Sequence, residues 1–131
     1  MALSHSLGFP RIGRDRELKK ALEAHWKGEL DEAGLRVVGQ RLRAEHWQLQ
    51  KDAGIHLLPV GDFAWYDQVL AHSLAFGVIP ERFRPAAGKP TLETLFAMAR
   101  GAVANKSSGT CCGGAHAQEM TCLLYTSPSP R

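Results

Sequence analysis

Cysteine is scarce in this chain. Its three cysteines all lie beyond position 110, and two of them, Cys111 and Cys112, are adjacent. That spacing does not make the disulfide framework of a small secreted domain. Also missing are an apolar run near the roughly 18 residues that a membrane-spanning helix needs and an N-terminal signal-peptide pattern. Neither membrane insertion nor secretion is supported, and a cytoplasmic location is expected. Excess charge is absent from nearly the whole chain: outside Leu7 to Lys20, eleven cations face eleven acids. Nucleic-acid binding is not expected, because the surplus sits in one short patch whose cations have no aromatics interleaved among them. With 44% hydrophobic and 22% charged residues, the composition is that of a globular domain, or part of one.

What is present is concentrated in LGFPRIGRDRELKK, residues 7 to 20. Arg11, Arg14, Arg16, Lys19 and Lys20 stand there against Asp15 and Glu17, so this stretch carries the whole net charge of +3. Gly8, Pro10 and Gly13 punctuate a loop that leads into a helix, with Asp15 as its expected N-cap. Arg16, Lys19 and Lys20 then share one helical face at i, i+3 and i+4. Cations in a first turn oppose the helix dipole, whereas the free N–H groups there favour an anion. Loop, dipole and cations therefore point to a carboxylate or phosphate ligand. The alternative is a solvated face on which Glu17 and Glu23 neutralise Lys20 and Lys27.

Along the chain, Met1 to Leu7 is expected as a strand, followed by a first helix over about Asp15 to Lys27 with Leu18, Ala21, Leu22, His25 and Trp26 on one side. A second helix over about Asp31 to Ala53 places Leu35, Val38, Leu42, His46, Leu49 and Ala53 on one stripe. His46 reads as a core histidine rather than a metal ligand, because no second ligand stands at i+4. Ile55 to Val60 is expected as a buried strand despite Pro59. A third helix is expected over about Trp65 to Phe76, with Tyr66, Val69, Leu70, Ser73 and Leu74 inward, and Thr91 caps a fourth with Leu92, Leu95, Phe96 and Ala99 inward. Strands separated by helices imply parallel pairing. Asp62 then stands either at the carboxyl end of a strand, where α/β enzymes place functional groups, or as an N-cap of the third helix. After Arg100 the periodicity fails in a glycine-rich loop. Its Cys111, Cys112 and His116 lack the spacing of a zinc site.

LGFPRIGRDRELKKALEAHW and LRAEHWQLQKDAGIHLLPVGDFAWYDQVL, with TLFAMARG and AQEMT further on, resemble the N-terminus of cobalamin-independent methionine synthase in collinear order over residues 3 to 121. The resemblance implies an α/β fold in which this chain is the opening strand-helix-helix-strand-helix portion of an incomplete (β/α)8 barrel. It implies an enzyme that moves a methyl group from 5-methyltetrahydropteroyl-triglutamate to homocysteine to form methionine, as a monomer and without cobalamin. It also implies a methylfolate site that includes Arg16, Glu17, Leu18 and Lys19, whose cations would meet the triglutamate carboxylates. The family's zinc ligands (His, Cys, Glu and Cys) belong to a C-terminal barrel, so no metal ligand and no catalytic residue is expected here. The family pattern follows AQEMT with a lysine, and this chain has Cys122.

Two domains are accordingly expected: residues 1–121 as a partial N-terminal barrel, and residues 122–131 as a non-native or disordered tail. The tail, CLLYTSPSPR, resembles a translated adapter of transposase-based sequencing libraries, and its Ser/Pro composition cannot pack. On this reading the 131-residue chain is inactive alone and marginally stable. Two other functions fit the residues less well. One is a stand-alone module for polyanions or folate polyglutamate. The other is a helical interaction module that uses the Leu35/Val38/Leu42 stripe.

Overall fold

The computed structural model describes residues 2–85 and 88–101. They divide into two compact units after Gln68. The expected glycine-rich loop with Cys111, Cys112 and His116, the AQEMT match and the tail at 122–131 lie outside the described residues.

The first unit is built on two helices, α1 (Glu17–Lys27) and α2 (Glu32–Asp52). Helix α1 stops at Gly28, which takes the left-handed conformation that glycine adopts without a Cβ penalty. Helix α2 starts at Asp31, whose carboxylate accepts the Gly34 N–H at 2.8 Å. This satisfies one of the donors left open in a first turn. The two helices pack on each other through Leu18, Ala21 and Leu22 of α1 and Leu35 and Leu42 of α2, all buried. Each fully buried leucine is worth about 1.5–3 kcal/mol of transfer free energy, so this seam is the main cohesive contact of the unit.

The buried stripe of α2 is Leu35, Gly39, Leu42, His46 and Gln50, which differs from the expected one at three places. Gly39 replaces Val38, Gln50 replaces Leu49, and Ala53 is exposed. Gln50 tolerates burial because both ends of its amide are bonded. Its oxygen accepts the Ser6 hydroxyl at 2.8 Å and its nitrogen donates to the His46 carbonyl at 3.1 Å. The His46 ring lies tilted against Phe9, with ring centroids 4.7 Å apart, and the residue is only 8% exposed.

The two segments expected as strands meet at a single parallel bridge, His5 to Leu57. The N–H groups of His56 and Leu57 both donate to the Ser4 carbonyl at 3.1 Å, and the Ser4 hydroxyl lies 2.7 Å from His56 Nδ1. Pro59 removes one ladder donor. Its carbonyl instead accepts the Trp47 indole N–H at 3.0 Å, tying the segment to α2.

In the second unit, α3 (Gln68–Ala75) begins three residues later than Trp65, the expected start. Of its expected inward face Leu70 is buried, while Val69 is exposed and Tyr66 precedes the helix. A single 3-10 turn, Glu81–Phe83, packs its buried Phe83 beside α4 (Leu92–Arg100). Helix α4 has the expected cap at Thr91, with a reciprocal bond to Thr94. Met98 is buried with Leu92, Leu95 and Phe96, and Ala99 is half-buried. No helix among the described residues is long and apolar enough to cross a membrane.

Gly39 sits in mid-helix, where glycine costs about 1 kcal/mol relative to alanine. The reason is steric: a Cβ built there would run into the Trp65 ring. Gly39→Ala is therefore expected to lower stability by about 1–3 kcal/mol despite the gain in helix propensity. Urea unfolding followed by circular dichroism checks this, and an unchanged or raised midpoint would show that Trp65 is not held by this contact.

Candidate functional site

The loop from Gly8 to Arg16 is fixed at several points before α1 begins. Asp62 accepts the Phe9 N–H at 2.7 Å, the Arg11 guanidinium donates through Nη2 to the Tyr66 carbonyl, and the Leu18 N–H donates to the Ile12 carbonyl at 3.1 Å. Asp62 is thus a latch on the loop, and α3 starts six residues after it, at Gln68. It does not cap that helix as one of the two expectations had it.

The N-cap of α1 is Arg16 and not Asp15. Arg16 adopts φ 61° and ψ 36° and makes no side-chain cap bond. A non-glycine residue in the left-handed region costs of order 1–3 kcal/mol and persists only where its surroundings impose it. What imposes it here is a tight reversal in which the Arg16 N–H donates to the Gly13 carbonyl at 3.3 Å, with Gly13 itself at φ 84°. The cap function passes to Glu17. Its carboxylate accepts the Asp15 N–H at 3.0 Å and lies where a Cβ on Gly13 would stand. Hydrogen bonding to its own backbone N–H, more than that to Asp15 or the nearby charges of Lys20 and Arg41, holds the Glu17 carboxyl below its ordinary value of 4.5, against a smaller opposing effect of burial.

The four residues singled out in the sequence separate into distinct roles. Leu18 is 0% exposed and anchors the helix in the core. Lys19 is half-exposed and pairs with Glu23 at 3.6 Å. Leu18 and Lys19 line a cleft of about 290 Å³ together with Arg11, Ile12, Leu22, Glu23, Trp26, Trp65 and Tyr66. Arg16 and Glu17 lie at the helix start and do not line that cleft. The Trp26 and Tyr66 rings stand 6.2 Å apart. Trp65 is backed edge-on by Phe63 at 5.2 Å, which in turn carries the Arg43 guanidinium 4.9 Å above its ring.

The cleft thus offers apolar and aromatic walls with two cations and one acid. Trp65 and Tyr66 escaped the sequence reading as site residues, and Arg11 entered it only as one cation of the charged loop. The adjacent Trp65 and Tyr66, just beyond the Ile55 to Val60 segment and Asp62, were the available signal. Among the described residues no group of three or more His, Cys, Asp or Glu side chains could hold a metal ion.

Comparison with known proteins matches residues 3–126 to the cobalamin-independent synthase family, N-terminal domain. A relative from Saccharophagus degradans is 52% identical over 121 residues, which is 92% of this chain and 16% of the relative. One from Proteus mirabilis is 60% identical over 98 residues, 75% of this chain and 13% of the relative. Both relatives are named 5-methyltetrahydropteroyltriglutamate–homocysteine methyltransferase. The chain belongs to the cobalamin-independent synthase family, its match falling in the N-terminal domain. It spans less than a fifth of the length of either relative.

Because its folded-state value lies below 4.5, ionised Glu17 favours the folded loop above that pH, and the contribution is lost as pH falls through the lowered value. Glu17→Gln removes this dependence. The acid limb of helicity measured by circular dichroism is therefore expected to be steeper for the wild type than for E17Q. Superimposable curves would show that Glu17 does not hold the start of α1.

Proposed function

We propose that this chain carries part of the methylfolate site of a methyltransferase that transfers the methyl group of 5-methyltetrahydropteroyl-triglutamate to homocysteine, giving methionine. The observation that carries the reading is the first turn of α1. There Lys19 lines a cleft with aromatic walls and Arg16 stands at the helix start, within a family whose members bear that activity in their names. Arg16 and Lys19 supply charge for the tail carboxylates, and Leu18 fixes the turn that presents them. Glu17 already occupies the loop donors, so the tail meets side-chain cations more than free backbone N–H groups. Each exposed charge pair is worth up to about 1 kcal/mol, so two of them make the site selective for chain length without tight binding to a monoglutamate.

The same reading takes α1, α2, α3 and the His5 to Leu57 bridge as the opening portion of a (β/α)8 barrel, in a cytoplasmic, monomeric enzyme. Zinc, which activates a thiol by stabilising its thiolate, belongs to the family reading. The described residues do not fit it, since none of their His, Cys, Asp and Glu side chains form a group of three that could hold a metal ion.

Calorimetric titration of the 131-residue chain tests the site. The triglutamate form of methyltetrahydrofolate is expected to bind more tightly than the monoglutamate, and Arg16→Ala with Lys19→Ala is expected to cost up to about thirtyfold through two lost charge pairs. Equal binding of the two forms, or a double variant that binds like wild type, would overturn the reading.

A further inference from the structure

Of the arginines of α2, Arg36 and Arg41 pair with Glu32 and Glu45, each one turn away along the same helix. Arg43 has no such option: one turn to either side stand Gly39, Gln40, His46 and Trp47, none of them an acid. It is half-buried, and its guanidinium lies 4.9 Å over the centre of the Phe63 ring. The Phe63 ring meets Trp65 at 87°, with centroids 5.2 Å apart, which is the edge-to-face arrangement that aromatic quadrupoles favour. Trp65 in turn fills the space beside Gly39, where a Cβ would overlap its ring. Gly39 and Arg43 are four residues apart and so share one face of α2.

Resting on the reading of the cleft as part of a methylfolate site, we propose that Arg43 is a positioning residue of that site, which fixes its Trp65 wall through Phe63. Neither Arg43 nor Phe63 lines the cleft. Gly39 only makes room for the Trp65 ring and exerts no pull on it. The contacts that hold the ring in that space are directional: the cation fixes the face of Phe63, and Phe63 meets Trp65 edge to face. The next residue, Tyr66, is tied from the loop side, where its carbonyl accepts from Arg11. The wall formed by Trp65 and Tyr66 is thus held at both ends, and side chains that a ligand does not touch decide the width of the cleft. A wall fixed in advance spares a ligand the cost of ordering it. A cation suits this task because it attracts a ring face that offers no hydrogen-bonding group, and a planar guanidinium can stack on it.

Arg43→Met keeps an unbranched stem and removes the charge, whereas Arg43→Lys keeps the charge. The first readout is the Trp65 indole N–H peak in a nitrogen–proton correlation NMR spectrum of the 131-residue chain, assigned by its loss in Trp65→Phe. R43M is expected to shift or broaden this peak and R43K to leave it near its wild-type position. A role confined to packing of the Arg43 stem predicts no change in R43M. The second readout is calorimetric titration with 5-methyltetrahydropteroyl-triglutamate. R43M is expected to bind about threefold more weakly, the loss of one cation–π contact, and R43K close to wild type. Arg36→Met, which breaks only an exposed pair, should match wild type in both. If the Trp65 peak or the binding of R43M is that of wild type, the proposal for Arg43 falls while the function proposed above stands. If wild type does not bind the probe, that function falls, and the Trp65 peak alone decides whether Arg43 holds the wall. Should R43M not fold, the unaltered chain decides: the Phe63 ring current is expected to move the Arg43 side-chain protons upfield of those of Arg36, and coincident shifts would overturn the proposal.

Discussion

The carboxylate of Asp62 accepts the N–H of Phe9 across 53 residues of sequence, and the placement of the site depends on that contact. It sets where the loop from Gly8 to Arg16 leaves the N-terminal segment. That fixes how Ile12 receives the Leu18 N–H, how Arg11 reaches the Tyr66 carbonyl, and which face α1 turns toward α2. A carboxylate accepting a backbone N–H is a charge-assisted bond, roughly twice as strong as a neutral one. The long-range geometry of the unit therefore rests on a short, directional contact as well as on the non-directional burial of Leu18, Leu22, Leu35 and Leu42.

The charge surplus of the loop is managed in part from within. Glu17 sits on the donors that the reversal at Gly13 exposes, and Glu23 takes Lys19. The anion-seeking character that sequence spacing suggests is therefore already partly answered by the chain itself. Arg11 is the cation most removed from solvent among those of the loop. Pairs on the outer face of α2, Arg36 with Glu32 and Arg41 with Glu45, are exposed and contribute little to stability.

Local rules made the helices legible. Asp31 and Thr91 are side-chain caps of the expected kind, and Leu35, Leu42 and His46 keep a helical period. Sequence reading failed where a tertiary contact outweighed a local preference. Asp15 looks like an N-cap, but the loop reverses one residue later, at Arg16. Leu49 looks buried, yet Gln50 takes the inward position because Ser6 reaches it. Gly39 in place of Val38 reflects the Trp65 ring, which no helical pattern encodes. For the site, Lys19 was legible as part of a motif. Trp65 and Tyr66 were not, nor was their meeting with Arg11, since residues more than fifty positions apart come together only once the loop is latched.

The tryptophans are distributed in a way that has an optical consequence. Trp26 and Trp65 line the cleft, while Trp47 spends its indole N–H on the Pro59 carbonyl at the opposite end of α2 from Asp31. Two chromophores therefore share one environment and the third samples another, so the ultraviolet emission of the unaltered chain combines a cleft signal with a signal from the Ile55 to Val60 segment. Occupancy of the cleft and detachment of that segment would change this emission separately, without any dye attached.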